Sequence, residues 1–377
     1  MTKKIKKINQ NENSDFDKTN KKCYFVCANT CLGSVNLFHL IYNSENLEKI
    51  YIIKGHGESF ILNQIAKKAE EKKYSVEYFL CPADIKKLNG IIIKELKTAV
   101  ISEELYICNL YTTLKYPIIL ENIINLNDFY EETKLIKQKK EIFNLTEKKN
   151  GYNKLAYKFL KVANELCENI KELSHKYIDY EKLDLSAGRL INKYIGEKNS
   201  HNCQKIGKNT EEYRFINSVS QTGLIELDTF ENEAKKIFYI SDKNFSGLIY
   251  INNILEKFSG LCKVICLNSI NPKKIQAIYL KDLKILFIIK NRIFNKIYDN
   301  KYSFINMERF IDKDIKKENK QKLRFMQKCY RSIIDEAVKY FTEINNINNT
   351  IENIYESAVK LEEKNKYTEE IVKKIFL

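Results

Sequence analysis

The chain has 377 residues, 44% of them hydrophobic, and a formal charge of +15. That length predicts two domains, each able to bury its own core, and no stretch approaches the ~20 apolar residues that a membrane helix needs. The charge is a weak argument for nucleic acid, because arginine is confined to Arg189, Arg214, Arg292, Arg309, Arg324 and Arg331 while lysines mingle with glutamates on solvated faces. Nucleic-acid binding through Lys-rich helices, with Lys313 to Lys328 as the best patch, is therefore an alternative and not the leading expectation.

In chain order, residues 1–22 are rich in Lys, Asn and Asp and lack the apolar core of a signal peptide, so a disordered basic tail is expected. The 10 cysteines lie mostly in apolar runs (Cys81, Cys108, Cys262, Cys266), the usage of reduced thiols in a cytoplasm. Cys23, Cys27 and Cys31 recur at every fourth position. On one strand they would share a face, as buried thiols and not a metal site. His201 and Cys203 have no second ligand pair, so zinc is unsupported. His39 and His175 read as structural.

Gly33 marks a hairpin or turn. Residues 49–54 are an apolar, β-branched run, and Ile61, Leu62, Ile65, Ala66 and Ala69 then define one face of a helix. A second strand follows at 76–81. Strand, helix and strand make a βαβ unit, which predicts a parallel sheet with a right-handed crossover. Residues 91–93 and 99–101 add strands, giving a sheet buried on both faces. Leu155, Phe159, Val162, Leu166, Ile170, Leu173 and Tyr177 then form a helical stripe. Flanking helices at 131–148 and 185–195 are expected to cover it as a helical hairpin.

The second part repeats the first. Residues 124–129 recur at 305–310, and the same offset carries Ala156, Phe159, Leu166, Ile170, Leu173 and Leu190 onto Ala337, Tyr340, Ile347, Ile351, Ile354 and Ile371. Upstream, 49–53 answers to 236–240, and Phe25 and Gly33 answer to Phe215 and Gly223. The chain is a tandem duplication. Its expected organisation is a tail (1–22), a first α/β domain with helical hairpin (23–196), a polar linker (197–213) and a second such domain (214–377).

Chemistry is expected where each first strand runs through a tight loop into a helix, the setting of a phosphate loop. Such a loop needs glycines for close backbone approach, a lysine for the terminal phosphates and a Ser/Thr for Mg²⁺. The first loop reads Gly55-His56-Gly57-Glu58-Ser59, with no lysine and with a glutamate where phosphates would lie. The second reads Ser241-Asp242-Lys243-Asn244-Phe245-Ser246-Gly247-Leu248 and has one glycine, an early lysine and an apolar residue at the hydroxyl position. Candidate cofactor-binding residues are Gly55, His56, Gly57, Ser59, Asp242, Lys243, Asn244, Ser246 and Gly247. No catalytic residue and no metal ligand is assigned.

The stretches Ile50 to Gly55, Val76-Glu77-Tyr78-Phe79-Leu80-Cys81, Ile93-Lys94-Glu95-Leu96 and Ile123-Ile124-Asn125-Leu126 resemble, in order and spacing, a family of two-domain P-loop ATPase-like proteins of Firmicutes. The resemblance runs from about Tyr24 to Leu377. It implies two tandem P-loop NTPase-like α/β domains, ATP or another nucleotide as ligand, and a cytoplasmic location. The phosphate lysine has no counterpart in the first loop. Gly247 falls at that position in the second, and the acidic residue expected after the fourth strand falls at Ser102 and Ile289. The resemblance so implies a pseudo-ATPase that senses nucleotide or binds a protein partner through its helices, with no membrane role. The alternative is an active ATPase or kinase in which Lys54 or Lys243, with Glu103 or Glu104, substitutes for the lost groups.

Overall fold

A computed structural model describes residues 21–38, 40, 47–107, 121–194, 211–242, 244–258, 261–290 and 301–377. Most of the 1–22 tail and the 197–213 linker, together with His39, Cys108, His201, Cys203 and Lys243, lie outside these residues. The first half runs β1 (Lys22–Tyr24), β2 (Cys27–Thr30), β3 (Gly33–Asn36), β4 (Lys49–Lys54), α1 (Glu58–Glu71), β5 (Val76–Leu80), β6 (Leu88–Ile93), β7 (Thr98–Ser102), α2 (Glu103–Ile107) and β8 (Glu121–Asn125). A 3-10 turn (Asn127–Phe129) leads into α3 (Glu132–His175) and α4 (Tyr180–Tyr194). The second half repeats this order as β9 (Glu211–Phe215), β10 (Asn217–Ser220), β11 (Gly223–Glu226), α5 (Thr229–Glu233), β12 (Lys236–Ser241), α6 (Gly247–Lys257), β13 (Lys263–Leu267), β14 (Ile275–Leu280), β15 (Ile285–Lys290) and β16 (Tyr302–Asn306). A 3-10 turn (Met307–Phe310), α7 (Lys313–Ala358) and α8 (Leu361–Ile375) complete it. No helix among the described residues is long and apolar enough to cross a membrane.

Two six-stranded sheets carry the same order, β1-β5-β6-β7-β4-β8 and β9-β13-β14-β15-β12-β16. The sheets are mixed, not purely parallel as the βαβ reading predicts. β6 and β14 run antiparallel to both neighbours, because short connections join them to the strands before and after, and such links return antiparallel. The crossover through α1 does connect strands of one direction, but β7 and β6 lie between β4 and β5. β2–β3 and β10–β11 are the expected hairpins, with Gly33 and Gly223 at φ +99° and +109°. Cys23, Cys27 and Cys31 do not share a strand face, since they fall in β1, in β2 and in the turn after it. The chain leaves the large sheet between Cys23 and Cys27, which spacing alone does not reveal.

The expected helical hairpins are instead single long helices, α3 of 44 residues and α7 of 46 residues, each followed by a short one. At 1.5 Å per residue each is ~65 Å long, too long to fold back over the sheet it follows. The α3 stripe is also shifted by one position up to Cys167, and Ile170 is buried as expected. Ala156, Leu160, Ala163, Cys167 and Ile170 are buried, while Leu155 and Val162 are 37% and 47% exposed. In α7 the 3–4 spacing of Ala337, Phe341, Ile344, Ile347, Ile351, Ile354 and Ala358 predicts one apolar stripe, and all of these are buried except Ile354, which is half-buried.

Two compact units result, and neither is a contiguous block such as 23–196 or 214–377. One comprises residues 1–158, 217–229 and 336–377, the other 159–216 and 230–335. In the first unit the end of α7 is tied to the turn after β8. Glu131 N donates to Ala358 O at 2.8 Å, and Lys360 N donates to Phe129 O at 2.8 Å. This delivers α8 to the first sheet, where Tyr367 packs on Phe129 and Phe376 on Tyr74. In the second unit Asp179 N donates to Phe310 O at 2.8 Å and Asp312 N to Tyr177 O at 2.9 Å. Leu183 and Ala187 of α4 accordingly join the core built from Phe238, Ile240, Ile251 and Phe287. Each short helix thus packs in the unit of the other repeat's sheet.

Candidate functional site

β4 lies between two parallel neighbours, β7 and β8, and β12 likewise lies between β15 and β16. The chain leaves β4 toward β5 on one side, while β8 pairs on the other. In open α/β sheets the crevice beyond the carboxyl end of such a strand is where ligands bind. Both candidate loops leave their sheets there.

The second loop is closed around its own carboxylate. Asp242, 1% exposed, accepts hydrogen bonds from Asn244 N at 3.0 Å, Ser246 N at 3.0 Å, Ser246 Oγ at 3.2 Å and Gly247 N at 2.7 Å. These converging N–H groups at the start of α6 make the arrangement that elsewhere binds a phosphate. Burial pushes the Asp242 carboxyl above the usual aspartate range, against the pull of the four donors. A Cβ at Gly247 would press on its neighbours, meeting Asp242 Oδ2 at 3.0 Å and Ile240 Cγ2 at 3.2 Å. α7 covers the loop. Gln327 Nε2 donates to Asn244 Oδ1 at 2.8 Å, and Phe245, held at φ +58°, packs edge-on against Tyr330. Of the candidates in this loop, Asp242, Asn244, Ser246 and Gly247 therefore come together, but around one another.

The first loop has only Gly55, His56 and Gly57 between β4 and α1, too few residues to wrap a phosphate. Gly55 and Gly57 have φ of +98° and +86°, and Asn127 backs Gly55 so closely that a Cβ would meet its Oδ1 at 2.7 Å. The His56 ring lies 3.8 Å from that of Tyr355, and its carbonyl accepts from the Tyr130 hydroxyl at 2.7 Å. Burial holds His56 below the ordinary imidazole range, with Glu352 opposing the shift and Lys149, Lys87 and Lys364 reinforcing it. Ser59 Oγ is engaged with the sheet, where it accepts from Leu88 N at 3.2 Å. Gly57 caps α1 in the left-handed region, with no side-chain acceptor. Burial, with Glu104 and Glu352 nearby, pushes the Glu58 carboxyl up.

The proposed substitutes do not assemble a catalytic centre. Lys54 Nζ and Glu103 Oε1 face each other at 3.8 Å as a half-exposed pair. Ser102, where an acidic metal ligand is expected, is a buried hydroxyl. Leu248 offers no hydroxyl to Mg²⁺, and the N–H groups that would hold a triphosphate already have an acceptor, so the residues present do not fit a Mg-nucleotide. Burial pushes the thiols of Cys81 and Cys167 up to about 12, which leaves both protonated and unreactive. An open hollow of about 280 Å³ lies between β8 and α8, lined by Tyr51, Ile124, Tyr367 and Lys374 among others, and no loop residue contributes to it.

Sequence reasoning missed the acceptor role of Asp242 and the presence of Lys364 at the first loop. The first left a signal, because Asp followed by Asn, Ser and Gly is a side-chain-to-backbone turn pattern. The second left none, since Lys364 comes from the far end of the chain. Comparison with family models, with curated proteins and with solved structures finds no match to this chain.

Proposed function

We propose that this chain is a degenerate tandem P-loop NTPase-like protein, a pseudo-ATPase that has kept the frame of two nucleotide domains and acts by binding a protein partner or sensing a ligand, without turnover. The observation that carries the proposal is the Asp242 carboxylate on the N–H groups of the second loop. A nucleotide phosphate there would have to displace a buried, four-times hydrogen-bonded group and overcome its charge. Phosphoryl transfer depends on placed cations and a metal, and the shortened first loop with its Lys54–Glu103 pair supplies neither. The long helices α3 and α7 offer contact surface for a partner. Isothermal titration of the full chain with Mg-ATP and Mg-GTP, beside a turnover assay, tests the proposal. Little or no binding at the second loop and no turnover are expected, and hydrolysis above background refutes it.

A further inference from the structure

The open hollow of about 280 Å³ between β8 and α8 lies wholly within the first compact unit. Tyr51 of β4 forms part of its wall and is only 3% exposed. Among the described residues its hydroxyl makes no hydrogen bond. Burial alone pushes the phenol above its ordinary range, so it stays a donor at neutral pH. A hydroxyl taken from water without a partner is costly. This one is not among the sealed, partnerless polar atoms of the chain, so it opens onto the hollow that Tyr51 lines.

The duplication offers an internal comparison. Tyr51, opposite Asn122 in β8, has Phe238 as its counterpart, opposite Ser303 in β16. Ile375 at the end of α8 has Tyr194 of α4 as its counterpart, and the Tyr194 ring packs edge-on against Phe238 at 5.1 Å. In the second repeat's sheet an aromatic ring of the short helix thus covers a strand that carries no hydroxyl. The fold needs neither the hydroxyl nor the hollow, and the first repeat's sheet has both. The remaining wall includes Asn122 and, from α8, Tyr367, Glu370, Ile371 and Lys374. Glu370 precedes Lys374 by the one-turn spacing at which such side chains usually meet. Among the described residues, neither makes an ion pair.

We propose that this hollow binds a free α-amino acid with an apolar side chain. The Tyr51 hydroxyl and the Lys374 ammonium donate to its carboxylate, Glu370 accepts from its ammonium, and its side chain lies against the Tyr51 ring and Ile371. Small-molecule pockets begin at about 300 Å³, so the hollow has room for one amino acid and not for a nucleotide. Like charges reject the simpler analogues, since a plain carboxylate meets Glu370 and a plain amine meets Lys374. The site goes beyond the pseudo-ATPase proposal and uses neither loop.

The test is calorimetric titration of the full chain with L-leucine, L-methionine and L-phenylalanine, each alone. At least one should bind saturably. Its decarboxylated and its deaminated analogue should each bind at least about tenfold more weakly, through loss of a charge-assisted hydrogen bond. Tyr51→Phe installs the residue of the second repeat. It should weaken binding at least about tenfold and melt with the parent. Lys374→Met, on the exposed side of α8, should weaken binding to a similar degree. Absence of saturable binding by all three amino acids overturns the site, as does equal binding by Tyr51→Phe. An analogue that binds as tightly as the amino acid overturns the ligand class. A melting temperature of Tyr51→Phe well below that of the parent also overturns the site, because the hydroxyl would then have a partner within the protein.

Discussion

Replacing Asp242 by alanine removes the acceptor for Asn244 N, Ser246 N, Gly247 N and Ser246 Oγ at once. The hydroxyl can turn elsewhere, but the three backbone N–H groups are fixed by the loop. Asn244 and Ser246 are 6% and 1% exposed, so bulk water does not reach them freely. Each buried, unsatisfied group costs ~1–3 kcal/mol. Water entering the vacated space and relief from burying a carboxylate offset part of this, leaving a loss of ~3 kcal/mol. For a unit of this size that corresponds to a fall of ~6–12 °C in its melting temperature. The same truncation exposes an anion cradle. Phosphate at ~100 times its dissociation constant should restore ~2.7 kcal/mol, so melting of Asp242→Ala should recover in phosphate beyond any shift of the parent chain. Circular dichroism melts of both chains, in phosphate and in chloride at equal ionic strength, measure this. A variant that melts with the parent, or that phosphate stabilises no more than the parent, refutes the cradle.

Gly247→Ala should lower stability by ~1–3 kcal/mol in urea unfolding, because its Cβ would press on Asp242 and Ile240 at 3.0–3.2 Å. Ser59→Ala should cost ~1 kcal/mol in urea unfolding, through loss of the acceptor for Leu88 N. Folded His56 binds its proton less readily than the unfolded chain does. Its share of stability is complete above ~pH 6.5 and is lost as pH falls through the depressed folded value. His56→Phe should therefore show less loss of stability on acidification than the parent. His175, also depressed, is common to both chains and leaves the difference intact.

Much of the frame was legible because it is written in periodicity. The β-branched runs of β4 and β12, the apolar face of α1 and the α7 stripe are local patterns, and duplication doubled each signal. The mixed sheet was less legible, since the turns at Lys97 and Lys284, at φ +47° and +51°, carry no glycine to announce a reversal. The long helices and the exchange of α4 and α8 were not legible. Their apolar stripes specify that something covers them but not which repeat does so. At the candidate sites, missing groups were easy to see in the loops themselves. What occupies their place was not, because Lys364 beside Gly57 is distant in sequence and Asp242 acts by turning inward, a choice made by four hydrogen bonds that only the folded loop creates.

The most direct measurement is the rate of Mg-ATP hydrolysis by the purified full chain, compared with Asp242→Ala at equal concentration. With the second cradle filled by its own carboxylate, the parent chain should hydrolyse no faster than buffer alone. Turnover by the parent that disappears in Asp242→Ala would make Asp242 part of a working site and contradict the proposed role of its carboxylate.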